Sequence, residues 1–156
     1  MATLKTSIYE EITLHGNTHR LRTEKEITGI TNMYHRIVTV QAGADATIFS
    51  MHDAIADDDG TVDLDAVKYL RITNRDTTND VILNLQIEEG EADGAVDSNV
   101  AIALQAGKTF MLHQPHDGIS ADDDAISVIT DLKDLESIIV DSASSAVTLE
   151  IFIALG

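Results

Sequence analysis

Short runs in which apolar and polar residues alternate recur along the second half of the chain. Residues 67–73 and 81–87 alternate in this way, and the turn-forming polar segment 74–80 separates them. Alternation with a period of two is typical of a β-strand that has one face in a core. We therefore predict that these two runs pair as a β-hairpin.

The same arrangement predicts two further hairpins towards the C-terminus. Residues 100–105 and 109–113 flank Gly107, a turn residue that adopts positive φ without a steric cost. Residues 137–141 and 146–153 flank a short segment of serine and alanine.

The last of these runs shows the alternation most clearly. A period of two places its four branched aliphatic residues on one face, which we predict to be a core face: Val147, Leu149, Ile151 and Ile153. Phe152 lies on the opposite face among polar neighbours, where we expect it to be partly buried.

The first half of the chain has weaker patterns. Residues 8–14 and 20–30 are predicted to pair across a turn around Gly16, and residues 34–40 and 46–51 across a turn around Gly43. Because short strands recur without long helical periods between them, the sequence predicts an all-β fold. We expect one domain over residues 1–156, an antiparallel β-sandwich or jelly roll with long acidic loops.

The acidic residues change this picture in one respect. The formal net charge is −17, which disfavours a nucleic-acid partner because phosphate binding requires clustered lysine and arginine. Residues 1–40 have five bases and four acids, so the remaining residues have a net charge of −18. We predict that residues 1–40 form a docking or subunit-contact segment, with interface cations at Arg20, Arg22, Lys25 and Arg36.

Metal and catalytic chemistry have little support in the sequence. The chain has no cysteine, and its histidines are scattered, so a zinc site is not expected. The acidic run near Gly60 does not fit an EF-hand loop, because Ile55 occupies a ligand position. Weak candidates for a calcium site outside that motif are Asp57, Asp59, Asp63 and Asp65. No phosphate-binding loop, dinucleotide fingerprint or serine-hydrolase motif occurs, so we predict a non-enzyme without a cofactor.

Part of the chain resembles a known group of proteins. Residues 69–74 and 78–83, two strand-like runs joined by an asparagine-containing turn, resemble a unit of small virion structural proteins of tailed viruses. In those proteins a Leu-x-x-Gly-x-x-x-x-Leu segment follows, and Leu104, Gly107 and Leu112 have that spacing. The final run 146–155 is also similar to their last strand, so the resemblance extends over about residues 67–156.

This resemblance implies a β-sandwich subunit that is repeated many times on a virion. The expected function is capsid decoration or cementing of a head through protein–protein contacts, with a tail or neck subunit as an alternative. An alternative of another class is a carbohydrate-binding or adhesion module. Expected partners are other copies of the chain, as a trimer, and virion proteins such as the major capsid protein. The expected location is the virion, after synthesis in the host cytoplasm, and no apolar run approaches the ~20 residues that span a membrane.

Overall fold

The computed structural model describes residues 1–52, 61–63, 66–87, 98–115, 118–121, 128–130 and 132–156. Within these residues the chain forms eleven β-strands and no α-helix. The strands are β1 (Ala2–Leu14), β2 (Asn17–Ile30), β3 (Asn32–Val40), β4 (Asp45–His52), β5 (Thr61–Asp63), β6 (Val67–Asn74), β7 (Val81–Ile87), β8 (Ser98–Leu104), β9 (Thr109–His113), β10 (Leu135–Asp141) and β11 (Val147–Leu155).

Two sheets form a β-sandwich with jelly-roll connectivity. The four-stranded sheet has the order β3-β11-β6-β9, and the five-stranded sheet has the order β5-β4-β10-β7-β8. Strand β3 pairs with β11, β4 with β10, β6 with β9, and β7 with β8. These pairs are those of one long hairpin that has been rolled into two layers. These pairings are antiparallel, whereas β5 is parallel to β4 at the edge. The predicted all-β sandwich is therefore confirmed.

Most of the predicted hairpins are wrong. Runs 67–73 and 81–87 became β6 and β7, which lie in opposite sheets, and the same holds for β3 and β4, β8 and β9, and β10 and β11. One predicted hairpin does form: residues 8–14 and 20–30 lie in β1 and β2, which pair with each other. A strand that crosses to the opposite sheet shows the same alternation as one that folds back beside its neighbour, because its apolar face points into the same core.

A buried asparagine helps to fix one of these crossings. Asn74 ends β6 and is fully buried. Its side-chain amide donates to the carbonyl oxygens of Asn79 and Leu104 at 2.9 and 3.2 Å, and its side-chain oxygen accepts from the backbone N–H of Asp76 at 2.9 Å. The backbone N–H of Asn74 donates to the carbonyl of Lys108. One polar side chain thus joins the β6–β7 connection to the end of β8.

The core lies between the two sheets and consists mainly of branched aliphatic side chains. The predicted core face of β11 is confirmed, and its four members are fully buried. Facing strands of the five-stranded sheet contribute Leu83, Leu85, Ile138 and Val140 to the same cluster. Phe152 is partly buried on the outer face of its sheet, as predicted, where it contacts a second and smaller apolar cluster.

The acidic segments lie largely outside the described residues. Connections 53–66, 88–97 and 114–134 carry seventeen of the 27 acidic residues. The strands that these connections join begin or end at the same end of the sandwich, since Leu135 pairs with Ile87 and Tyr69 with His113. Connections 41–44, 75–80, 105–108 and 142–146 join strands at the opposite end, and their formal charges sum to zero.

The core position of β11 leads to a test of stability. We expect Ile151→Ala to lower the free energy of unfolding by about 2–5 kcal/mol, because it leaves a cavity between the sheets. Ile37→Ala makes the same chemical change on the exposed face of neighbouring β3 and should change stability by less than about 1 kcal/mol. Urea denaturation followed by circular dichroism measures both, and equal effects would contradict the assignment of the core.

Candidate assembly interface

The first thirty residues form a long hairpin, here called the arm (β1 and β2), outside the sandwich. Strands β1 and β2 form a separate two-stranded sheet, and they pair in register from Leu14 with Asn17 back to Thr3 with Thr28. The two-residue turn has positive φ at His15 and Gly16, at 49° and 82°, which suits the right-handed twist of the strands. Thirteen residues of β1 at roughly 3.3 Å each give an arm about 40 Å long.

One face of the arm is polar and contains ion pairs. Lys5 pairs with Glu26 at 2.7 Å, Arg20 with Glu11 at 2.6 Å, and Arg22 with Glu24 at 2.5 Å. Their side chains are exposed, so solvent screens each pair and its contribution to the stability of the hairpin is small. The main effect of these pairs is to compensate charge within the arm.

A tyrosine belongs to this polar face. The Tyr9 hydroxyl donates to Glu11 Oε2 at 2.5 Å, and Arg20 Nε donates to the same oxygen at 2.6 Å. The hydrogen bond from Tyr9 and that from Arg20 lower the pKa of Glu11. The hydrogen bond to Glu11 raises the pKa of Tyr9, because it stabilises the protonated phenol.

The opposite face of the arm is apolar and largely uncovered. Cross-strand register places the even-numbered residues of β1 on this face, together with Leu21 and Ile27 of β2. Near the tip, four large aliphatic side chains are between 46% and 59% exposed: Ile8, Ile12, Leu14 and Leu21. Because an isolated two-stranded ribbon is marginally stable in water, an uncovered apolar face of this length indicates a missing partner surface.

The base of the arm packs on the four-stranded sheet. Leu4, Ile27 and Ile30 join Tyr69, Ala154 and Phe152 in the smaller apolar cluster on the outer face of that sheet. The rings of Tyr69 and Phe152 meet edge to face, with centroids 6.2 Å apart. Phe152, which is partly exposed in β11, thereby receives its cover from the arm.

Beyond this base the arm separates from the sheet and leaves a groove of about 490 Å³. Leu4 and Ile8 line it from the arm, and Tyr69, Met111 and Phe152 line it from the sheet. Polar side chains line it as well, among them Lys5, Arg71 and His113, so both sides of the groove combine apolar and polar residues. It lies between β1 of the arm and strands β11, β6 and β9 of the sheet, and β1 and β9 each have one edge unpaired within the described residues.

A charged cluster lies beside the groove on the same outer face. Glu150 accepts from Arg71 at 2.6 Å and lies 3.4 Å from His35 and 3.7 Å from Arg75. The Arg71 guanidinium also lies over the Phe152 ring, 5.8 Å from its centroid. Two arginines thus surround the single carboxylate in the four strands of this sheet.

The structure separates the predicted interface cations into two groups. Arg20, Arg22 and Lys25 lie on the arm, where the first two are already paired with acids of the arm. Arg36 lies on β3 and turns towards β4, where its guanidinium donates to the carbonyl of Ile48 at 2.8 Å and lies over the Tyr34 ring. Residues 32–40 of the predicted docking segment are therefore a strand of the sandwich.

Sequence reasoning missed the aliphatic residues of the arm tip. Ile8, Ile12 and Leu14 recur at even positions of β1, which is a signal for one apolar face. The prediction for residues 8–14 was a strand of a hairpin, and it assigned no surface to the apolar face of that strand.

The candidate metal ligands are not brought together within the described residues. Asp63 lies in β5, and Asp57, Asp59 and Asp65 lie outside the described residues. The described part of the chain contains no group of three or more histidines and acids placed to hold a metal ion. No helix in the same part is long and apolar enough to cross a membrane.

Chelation provides a direct test of the calcium candidates. We expect EDTA to leave the melting temperature unchanged, because the described core and arm are held by apolar contacts and hydrogen bonds. Differential scanning fluorimetry with EDTA, with and without excess calcium, measures this. A drop of several degrees that calcium reverses would instead assign a site to the segment around Asp57.

The hydrogen bond between Tyr9 and Glu11 gives a test of the geometry of the arm. We expect Glu11→Gln to lower the pKa of Tyr9 towards its ordinary value of about 10, because the carboxylate acceptor is lost. Tyrosine ring signals followed by NMR from pH 8 to 12 report this shift. Tyr69, whose pKa is raised by burial, serves as the internal control and should not move. An unaltered Tyr9 titration would show that this contact is absent in solution.

Comparison with known proteins provides no family for this chain. No protein-family model matches it, and no curated protein matches it. Among solved structures, one similar chain comes from work on Bacillus endospore appendages, described as a novel family of disulfide-linked pili. The similarity covers 83% of this chain and 95% of that chain, with 14% sequence identity and a TM-score of 0.34. This TM-score is too low to assign a shared fold or function.

Proposed function

We propose that this chain is a non-enzymatic structural subunit that assembles through its arm, and that it decorates or cements a viral capsid. The observation that carries the proposal is the uncovered apolar face of the arm. Large exposed aliphatic side chains at the end of a projecting hairpin weaken a monomer, whereas they stabilise an assembly in which a partner covers them.

The charge distribution supports an assembly that uses the arm. Residues 41–156 have a net charge of −18, so two sandwiches that approach directly repel each other. The arm contains four bases and four acids, and three ion pairs compensate charge within it. It is therefore the segment that contacts another acidic subunit without increasing the repulsion.

The virion location rests on two arguments of different kinds. Jelly rolls are common in viral capsid proteins, although lectins and other proteins also have them. The resemblance of residues 67–156 to small virion structural proteins of tailed viruses favours the capsid. The proposed partners are further copies of the chain, as a trimer, and the major capsid protein. A tail or neck subunit would use the same arm in a ring of higher order.

A carbohydrate-binding module is the second candidate, and the aromatic residues argue against it. Sugar-binding surfaces usually present exposed aromatic rings. All six aromatic residues of the chain lie in the described part, and Tyr9 is the one whose side chain is exposed. Its hydroxyl is bound to Glu11, so no flat aromatic platform is formed there.

The test is a pair of matched double variants of the arm. Ile12→Ser with Leu21→Ser removes two apolar contacts, whereas Glu11→Ser with Arg20→Ser removes one ion pair and leaves the net charge unchanged. We expect the apolar-face variant to lose self-association and binding to virus particles that lack the protein, and the polar-face variant to retain most of both. Light scattering and particle co-sedimentation measure these properties.

The opposite result has a clear meaning. A wild-type chain that remains a 16.9 kDa monomer at every concentration and does not sediment with particles would contradict the proposed function. Loss of assembly in the polar-face variant alone would move the contact from the apolar face to the ion pairs of the arm.

A further inference from the structure

In the part of the chain that the structure describes, two apolar surfaces lie uncovered, and they have different shapes. One is the arm tip, defined by Ile8, Ile12, Leu14 and Leu21. The other is the outer face of the four-stranded sheet, where Met33, Ile37 and Met111 are between 41% and 60% exposed. The first surface is a narrow projecting ribbon, and the second is a broad sheet with a groove along one side.

The arm base already shows how these surfaces fit together within one subunit. Leu4 and Ile27 of the apolar arm face pack on Tyr69 and Phe152 of the sheet. The arm does not continue this contact, because the groove opens between residues 4–8 and the sheet, and no residue of the arm beyond Ile8 lines it. The arm tip is therefore unable to cover Ile37 or Met111 of its own subunit in this conformation.

Charge distinguishes this sheet from the other as a place for an incoming arm. The four strands β3, β11, β6 and β9 contain three bases and one acid, Glu150, but Arg36 turns towards β4, so Lys68 and Arg71 are the bases available to an incoming arm. The five strands of the other sheet contain four acids and no base. In a chain of net charge −17, the four-stranded sheet is thus the broad surface that does not repel an acidic partner.

The acid near the tip of the apolar arm face complements this sheet. Glu10 lies between Ile8 and Ile12, and the described residues provide it with no salt-bridge partner, whereas Lys25, the cation on the same face, lies opposite Thr6 and farther from the tip. An acid at the arm tip approaches a sheet whose bases outnumber its acid, whereas at the five-stranded sheet it would meet further carboxylates. Shape, hydrophobicity and charge therefore point to the same occupant.

We infer that the arm tip of one copy of this chain docks on the outer face of the four-stranded sheet, beside the β1–β9 groove, of a second copy. This inference rests on the proposed function, since it names the partner of the arm. The two contacting surfaces differ, so each docked copy still presents a free arm. Such a contact produces either a closed ring, of which the expected trimer is one form, or an open chain.

Complementation between two defective variants tests this arrangement. The arm variant is Ile12→Ser with Leu21→Ser, and the sheet variant is Ile37→Ser with Met111→Ser. We expect each variant alone to be monomeric, with a dissociation constant raised about tenfold or more. Mixed in equal amounts, they should form a dimer of one copy each and grow no further, because one intact arm and one intact sheet face remain. Native mass spectrometry resolves this dimer from monomer and wild-type oligomer.

A matched control is available on the other sheet. Ile82 is 40% exposed on β7, so Ile82→Ser makes an equivalent surface change away from the proposed contact and should assemble like the wild type. Circular dichroism melts of all variants check folding. Because the chain has no cysteine, Ile12→Cys and Met111→Cys in separate chains provide an independent test by thiol cross-linking. We expect the arm–sheet product in the mixture of these two single-cysteine proteins.

The outcomes separate this inference from the proposed function. If the sheet variant assembles normally and Leu14→Cys cross-links with itself, arms pack on arms, and the inference is wrong while the assembly function stands. If the wild type is monomeric but needs its arm to bind particles, the partner is another virion protein, and again only the inference is wrong. A monomer that binds no particle contradicts both.

Discussion

The fold depends on the burial of aliphatic side chains between two sheets that are poor in aromatic residues. The central strands β11 and β10 contribute the fully buried Leu149, Ile151 and Ile138, and the flanking strands add further leucine, isoleucine and valine. Each fully buried side chain of this kind contributes about 1.5–3 kcal/mol. Most consecutive strands of the sandwich lie in opposite sheets, with β4–β5 and β7–β8 as the exceptions, so most connections cross the edge of this core. The connections between the two sheets, including the one that the buried Asn74 stabilises, follow from that constraint.

The same constraint leaves the arm outside. The arm has only two strands, and with one apolar face it has no second layer of its own. At its base, the apolar face of the arm packs on Phe152 and Tyr69, so apolar side chains are buried on the outer face of the four-stranded sheet as well. Towards the tip the cover ends, and the molecule presents an amphipathic ribbon whose polar side is compensated by ion pairs. A small core, a projecting ribbon and a half-covered sheet together describe a subunit that completes its burial by association.

Electrostatics determines which surfaces are able to meet. Acidic residues are concentrated in connections that join strands at one end of the sandwich and in the five-stranded sheet, whereas the arm and the four-stranded sheet carry balanced or basic charge. Strong net charge keeps separate copies apart in solution, and the two neutral surfaces provide the exception. Apolar exposure and charge balance therefore coincide at both proposed contact surfaces. That coincidence is the physical basis for placing the interface there.

The sequence by itself determined most of the strands, the inward face of β11, the turn at Gly16 and the uneven distribution of charge, but not β5 or the first residues of β1. These features are local, because the period of alternation, turn propensity and charge are properties of neighbouring residues. Only the tertiary structure decided which strands pair. β6 and β7 show the alternation of a hairpin, but they face each other across the core, since a side chain that points inward satisfies either arrangement. The candidate site shows the same limit. The alternation at Ile8, Ile12 and Leu14 is a local signal that the sequence analysis did not assign, and only the tertiary arrangement showed that nothing in the described residues covers this face.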